Sequence, residues 1–196
     1  MSRGWTWDTI PKRFKVPKNE VTKKLVEEFY DWRSHLDHSA EPSPFVHKID
    51  PYASVGKSVL DLGCGLGNEC EYFAQLGLEV VGVDLSGEQI EMCRSKVPDA
   101  NFIKGDITQI NLQREFDVVW CHDVLEHLFP SEVKSAIQNA VRHTKKDGIA
   151  YLGWDSPKYR LSGRTDILPG HWIVYDWGYQ PTDEVLSLDT VLEVLT

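Results

Sequence analysis

Residues 58–67 read Ser-Val-Leu-Asp-Leu-Gly-Cys-Gly-Leu-Gly, a buried-strand run that stops at three glycines spaced by two. Glycine lets the backbone take positive φ, and it lets a ligand approach where a Cβ would collide. Directly afterwards the pattern turns helical. A strand that ends in such a turn and opens a helix is the ligand-binding corner of an open α/β sheet, beyond the carboxyl ends of the strands. The spacing of Gly63, Gly65 and Gly67 is not the G-x-G-x-x-G of a pyrophosphate cradle. Asp61, two residues before the first glycine, is also a poor neighbour for a diphosphate, so a nicotinamide dinucleotide fits this corner badly.

The remaining chain repeats the strand–helix unit. Residues 55–62 are expected to form the first core strand and 68–76 a helix, with Gly77 suited to the position just past its end. Residues 79–84 follow as a second strand. Ser86 and Gln89 have capping-box spacing for a helix carrying Ile90, Cys93 and Val97, stopped by Pro98. Residues 100–104 make a short third strand, and 116–121 a fourth, apolar apart from Asp117, as a strand covered on both faces should be. Ser131 opens a helix with Val133, Ala136, Ile137, Ala140 and Val141 on one face, and Lys145 and Lys146 suit its negative end. Asp147 and Gly148 then turn the chain into a fifth strand, 149–154. This alternation predicts an α/β fold with a central, mostly parallel sheet, helices on both faces and right-handed crossovers.

Ahead of the sheet, Asn19 is expected to cap a helix with Val21, Leu25, Phe29, Trp32 and Leu36 on one face, ended by the breakers Pro42 and Pro44. Residues 1–50 thus read as an arm and cap helix, and 51–196 as the α/β domain. Residues 156–170 read as a mobile loop over the site and 171–177 as a strand. Residues 182–195 read as a helix, with 190–195 equally readable as a strand.

Charge and cysteine usage narrow the function classes. Of the net −9, residues 1–24 hold seven Lys and Arg against Asp8 and Glu20, so this arm carries +5 and the rest −14. An acidic body argues against a large nucleic-acid footprint, while a basic arm interleaved with Trp5, Trp7 and Phe14 keeps an RNA or protein acceptor open as an alternative. The chain has no run of 18 apolar residues for a membrane span, and its first ten residues lack the apolar core of a secretory signal. Cys64, Cys70, Cys93 and Cys121, without C-x-x-C spacing, read as free thiols of a cytoplasmic protein. Cys64 suits the turn by its size, with a redox role as its alternative.

Four segments together carry a family resemblance. Asp61 through Gly67 resembles motif I of the class I S-adenosylmethionine-dependent methyltransferases, whose ligand carries a sulfonium and an ammonium in place of phosphates. Asp84 ends the second strand, where a carboxylate can accept both ribose hydroxyls of an adenosine. Gly105, Asp106 and Ile107 follow the third strand, and the resemblance gives Asp106 to the adenine amino group. Residues 116–127 are similar to the fourth-strand motif. The implied fold is Rossmann-like, and the implied cofactor is S-adenosylmethionine, leaving S-adenosylhomocysteine. By that resemblance the cofactor would lie across Asp61, Gly63, Cys64, Gly65, Gly67, Asp84, Leu85, Asp106 and Ile107, with Cys121 and His122 at its reacting end. Asp61 reads either as the partner of the methionine amino group or as a cap on the turn.

The cluster His122, Asp123, Glu126, His127 is rich in proton carriers. A helix starting near Asp123 would put Asp123 and His127 one turn apart. His127 or His122 would then serve as general base toward the acceptor, with a divalent ion or a purely structural role as alternatives. More finely, residues 44–51, the stretch 123–127 and the length of the N-terminal helix resemble the ubiquinone-pathway O-methyltransferase branch. The acceptor pocket would then use Tyr30, His35, Trp154, Tyr159, His171, Trp172 and Tyr175. The expected acceptor is a small organic molecule. The family sheet ends with two more strands and the chain leaves room for about one. It therefore reads either as truncated or as a shortened form with an exposed sheet edge that a second copy of the chain could cover, with a non-catalytic partner subunit as the rival reading.

Overall fold

The computed structural model describes residues 10–16, 20–36, 41–153 and 172–173. Strand β1 (Lys15–Val16) precedes helix α1 (Lys23–Ser34), and a 3₁₀ turn (Val46–Ile49) leads into β2 (Ser58–Leu62). Then follow α2 (Asn68–Gln75), β3 (Glu79–Asp84), α3 (Gly87–Lys96), β4 (Asn101–Lys104) and β5 (Phe116–His122). After a 3₁₀ turn (Leu125–His127) come α4 (Pro130–Arg142), β6 (Thr144–Gly153) and β7 (Trp172–Ile173). Among the described residues the main sheet has the order β4-β3-β2-β5-β6. Every pair in it is parallel. The order reverses between β2 and β5, which is the switch point where such sheets bind ligands. β1 and β7 pair separately and antiparallel, Lys15 opposite Ile173.

Both faces of the sheet are covered, so its strands are apolar on both sides. Leu60, Leu62, Val81, Val83, Val119 and Cys121 pack under α4, against Val133, Ala136, Ile137 and Ala140. Val59, Val80, Val118 and Trp120 point the other way, toward Cys70 and Phe73 of α2 and Ile90 and Cys93 of α3. At roughly 1.5–3 kcal/mol for each fully buried aliphatic or aromatic side chain, these two layers dominate the stability of the domain. A third cluster (Ile10, Phe14, Val21, Val26, Phe29) buries the inner stripe of α1, with Leu85 and Phe129 packed against it.

Several boundaries differ from the expectations, each for a local reason. β2 starts at Ser58, because Gly56 takes φ +86° and its N–H bonds Gly77 O, leaving Val55 85% exposed. α1 is capped by Thr22, whose Oγ1 accepts from Leu25 N at 3.2 Å. Asn19 lies outside the described residues, and Val21 packs from ahead of the helix. Val141 is exposed on α4. Lys145 and Lys146 do not extend that helix. They lie in β6, which begins at Thr144 and runs through an irregularity: Phe116 pairs Thr144, and the next pair is Val118 with Ile149. Gly148 permits this crowding, since a Cβ there would lie 2.8 Å from Asp117 O. Asp117 anchors the same spot, accepting from Ser58 N, Ser58 Oγ and Lys145 Nζ at 2.8–2.9 Å. Of the expected strand 171–177, Trp172 and Ile173 are described. The expected loop 156–170 and helix 182–195 lie outside the described residues.

Candidate active site

The glycine turn leaves β2 with Gly63, Gly65 and Gly67 at φ +80°, +52° and +74°. Its amides point inward. Gly63 N and Cys64 N donate to Val83 O, Gly67 N donates to Cys64 O, and Gly65 N donates to Asp84 Oδ2 at 2.9 Å. Asp84, the last residue of β3, also accepts from Ser86 N at 2.9 Å through its other oxygen. Burial pushes its carboxyl up, against the pull of these amides. The turn and the carboxylate that ends β3 are therefore one hydrogen-bonded unit.

Asp106 follows β4. Its Oδ1 accepts from Thr108 N at 2.9 Å and Thr108 Oγ1 at 2.7 Å. Its Oδ2 accepts from Lys23 Nζ at 2.7 Å and Gln109 Nε2 at 3.3 Å. Burial works against its ionisation, but the Lys23 ammonium and the Thr108 bonds overcome it and hold the carboxyl below the ordinary range. Lys23 also reaches Glu132 Oε1 of α4 at 2.5 Å. Burial would lower its pKa, yet the two carboxylates keep it raised.

These segments line one cavity of about 470 Å³. Gly63, Gly65, Asp84, Leu85, Gly105, Asp106 and Ile107 come from the carboxyl ends of β2, β3 and β4. Lys23, Val26, Tyr30 and Arg33 of α1 contribute a wall, and Asp123, Val124, His127, Leu128 and Phe129 contribute another after β5. His127 meets Tyr30 edge-on, with ring centroids 5.9 Å apart.

Residues 60–152 match a family model described as a methyltransferase domain. The chain is 40% identical over 128 residues to the mitochondrial ubiquinone biosynthesis O-methyltransferase of Schizosaccharomyces pombe, covering 58% of this chain and 47% of that protein. It is 30% identical over 149 residues to the dTDP-3-amino-3,4,6-trideoxy-alpha-D-glucopyranose N,N-dimethyltransferase of Streptomyces venezuelae, covering 69% of this chain and 63% of that one. A solved TehB-like SAM-dependent methyltransferase from Corynebacterium glutamicum superposes with a TM-score of 0.55 at 25% identity, over 63% of this chain and 71% of that chain. Residues 60–152 thus match a methyltransferase domain, and the fold is shared with a solved S-adenosylmethionine-dependent methyltransferase. It spans about half the length of the first curated relatives it matches, 47% and 45%.

Within the methyltransferase domain, some of the residues singled out in the sequence stand apart from the cavity. Asp61 is 2% exposed and faces α2, where its Oδ2 accepts from the Cys70 thiol at 3.3 Å. Burial first, and then the charge of Glu69, pushes its carboxyl well up. It does not cap the turn, whose amides go to Val83, Cys64 and Asp84. Cys64 and Gly67 sit behind the turn, and a Cβ on Gly67 would lie 2.9 Å from Cys93 Sγ. Cys121 is buried in the core under α4.

His122 does not line the cavity either. The two-residue period of β5 puts it on the Trp120 face, stacked on Trp120 and Tyr151 at 5.5 and 6.0 Å. Its Nε2 lies 3.5 Å from Ser43 Oγ and its Nδ1 3.5 Å from Asp123 Oδ2. Asp123 does line the cavity, but with φ +54° it is not helical, and the 3₁₀ turn begins only at Leu125. Asp123 and His127 therefore reach the cavity from either side of a bend, not from one helix face. His35 is exposed, 3.7 Å from Glu88 Oε2, and does not line the cavity. Trp154, Tyr159, His171 and Tyr175 lie outside the described residues, and Trp172 is described as β7 backbone.

Sequence reading missed Arg33, Gln89, Phe129 and Glu132 in the cavity wall, and counted Lys23 only as charge on the basic arm. Glu132 carried a signal: it stands three residues into α4, where its carboxylate accepts from Phe129 N. Nothing local announces the approach of Lys23 to it.

Proposed function

We propose that this domain binds S-adenosylmethionine and transfers its methyl group to an oxygen or nitrogen of a small organic acceptor, leaving S-adenosylhomocysteine. One observation carries the reading: Gly63, Gly65, Asp84, Leu85, Asp106 and Ile107, from three separate segments, line a single cavity at the switch point of a parallel sheet. The cavity has the size of a small-molecule site. Its residues fit the cofactor at the sugar end. A Cβ at Gly65 would meet nothing within 4 Å, so bare backbone faces the cavity there. Asp84 accepts one amide on each oxygen and keeps lone pairs for ribose hydroxyls.

When bound, the cofactor supplies an electrophilic methyl group on a sulfonium. The part left to the chain is alignment of the acceptor, exclusion of water and removal of one proton. Val26 and Tyr30 on one side, with Leu128 and Phe129 on the other, give the acceptor an apolar seat. His127 lines that seat, and an imidazole is the group suited to take a proton near neutral pH. Residues 1–50 would act as the arm and cap of residues 51–196. The acceptors named by the relatives, in ubiquinone biosynthesis and on a dTDP-amino sugar, support a small molecule over a macromolecule. The basic arm supports the rival weakly: Lys23 is held by two carboxylates, and Arg13 lies 4.6 Å over the Phe14 ring.

Calorimetry with S-adenosylmethionine tests the reading. Asp84→Ala is expected to weaken binding about tenfold or more, the worth of a lost charge-assisted hydrogen bond. Unchanged affinity, or no binding by the unaltered chain, counts against it.

A further inference from the structure

The Asp106 carboxylate has no room for another donor. Its two oxygens accept from Thr108 N, Thr108 Oγ1, Lys23 Nζ and Gln109 Nε2, and a carboxylate offers about four lone-pair directions. An adenine amino group can reach Asp106 only if one of these yields. Lys23 is the donor equipped to do so, because its ammonium already has a second carboxylate, Glu132, at 2.5 Å. The Lys23 side chain is 30% exposed, and those of Asp106 and Glu132 18% and 23%, so water screens the three charges only in part.

Lys23 also begins α1, the helix whose Val26 and Tyr30 face the acceptor side of the cavity. The helix is tied to the core at its other turns. Asp31 Oδ1 accepts from Ser86 Oγ at 2.6 Å and Glu88 N at 3.2 Å, and Glu27 pairs with Lys104. Lys23 ties the helix inside the cavity by charge, where Tyr30 also meets His127.

We propose that Lys23 is a positioning residue that couples cofactor binding to the acceptor wall: adenine takes its place on Asp106, and its remaining bond to Glu132 holds α1 over the filled cavity. The inference rests on the S-adenosylmethionine reading above. It predicts that neutralising Lys23 loosens the hold on bound cofactor without unfolding the sheet.

The test compares Lys23→Met, Lys23→Arg and Glu27→Gln by hydrogen exchange over residues 23–34 and by the dissociation rate of S-adenosylmethionine. Lys23→Met is expected to speed dissociation roughly fivefold or more, the scale of one charge-assisted pair in a half-buried setting. It should also abolish the slowing of exchange that the cofactor brings. Lys23→Arg should preserve both properties, and Glu27→Gln should leave dissociation unchanged. Wild-type behaviour of Lys23→Met overturns the proposal, as does an equal effect of Glu27→Gln, which would mark general docking of the helix. If Lys23→Met fails to fold, Glu132→Gln removes the α4 end of the bridge and is read in the same way. Should the unaltered protein bind no S-adenosylmethionine, the functional reading fails by itself. Exchange in the unliganded proteins then decides: faster in Lys23→Met supports the bridge, and equal rates overturn it.

Discussion

A Cβ on Gly63 would lie 2.3 Å from Val124 Cγ2, at a φ of +80° that side chains rarely adopt. Gly65 shares the positive φ but faces open space. The two glycines look alike in the sequence and differ in what they protect: Gly63 lets the segment after β5 close on the turn, and Gly65 lets the backbone bend beside the open cavity. Gly63→Ala is therefore expected to cost about 2–3 kcal/mol in a urea melt, against about 1 kcal/mol for Gly65→Ala. Equal costs would mean that strain alone, without the clash, explains the position. The same contrast runs through the acids. Asp84 and Asp106 were legible as cavity-lining acids because one ends its strand and the other stands just past its strand. Asp61 follows the same logic yet points to α2, since the two-residue period of β2 sends it to the face away from Leu60 and Leu62.

Among the elements, interiors were easier to read than joints. Hydrophobic runs gave β3 to the residue and β2, β4 and β5 to within three, because the apolar runs outlast the single acids Asp61 and Asp117 within them. The end of α4 and the start of β6 were misread, because Lys145 and Lys146 suit a helix terminus locally while Asp117 and the neighbouring strand draw them into the sheet. The link between α1 and α3 is a joint of the same kind. Asp31, inside one helix, accepts from Ser86 and Glu88 at the start of another, beside Leu85 of the cavity. Asp31→Ala should lower stability by about 1–2 kcal/mol by removing two bonds at a helix start. Differential scanning calorimetry reads it as a drop of several degrees, and an unchanged melting temperature would show that α1 docks through its apolar stripe alone.

At the scale of the whole molecule, an acid buried in the core should shape how stability depends on pH. The Asp61 carboxyl is raised well above the 3.8 of an unburied aspartate, chiefly by burial. A raised folded value means that the contribution is fully present below the unfolded value and is lost as pH rises through the folded one. Asp61→Asn lacks this loss. Its stability minus that of the unaltered protein should therefore climb between pH 4 and pH 7 in paired urea melts, whatever fixed cost the amide brings. A flat or falling difference would mean that the carboxylate is ionised in the fold without penalty.

Order of elements, parallel sheet, glycine turn and the acids at strand ends follow from the amino-acid sequence by itself, because each is set by short-range rules: the period of apolar residues, the φ a glycine allows, and the place of a residue relative to its strand. The tertiary structure alone decided which of these residues share a cavity. It turned His122 and Asp61 to the opposite face, brought Asp123 in through a bend, and joined Lys23 to Asp106 and Glu132. Those outcomes depend on packing and on charges meeting across long loops of chain, where no local pattern records the partner.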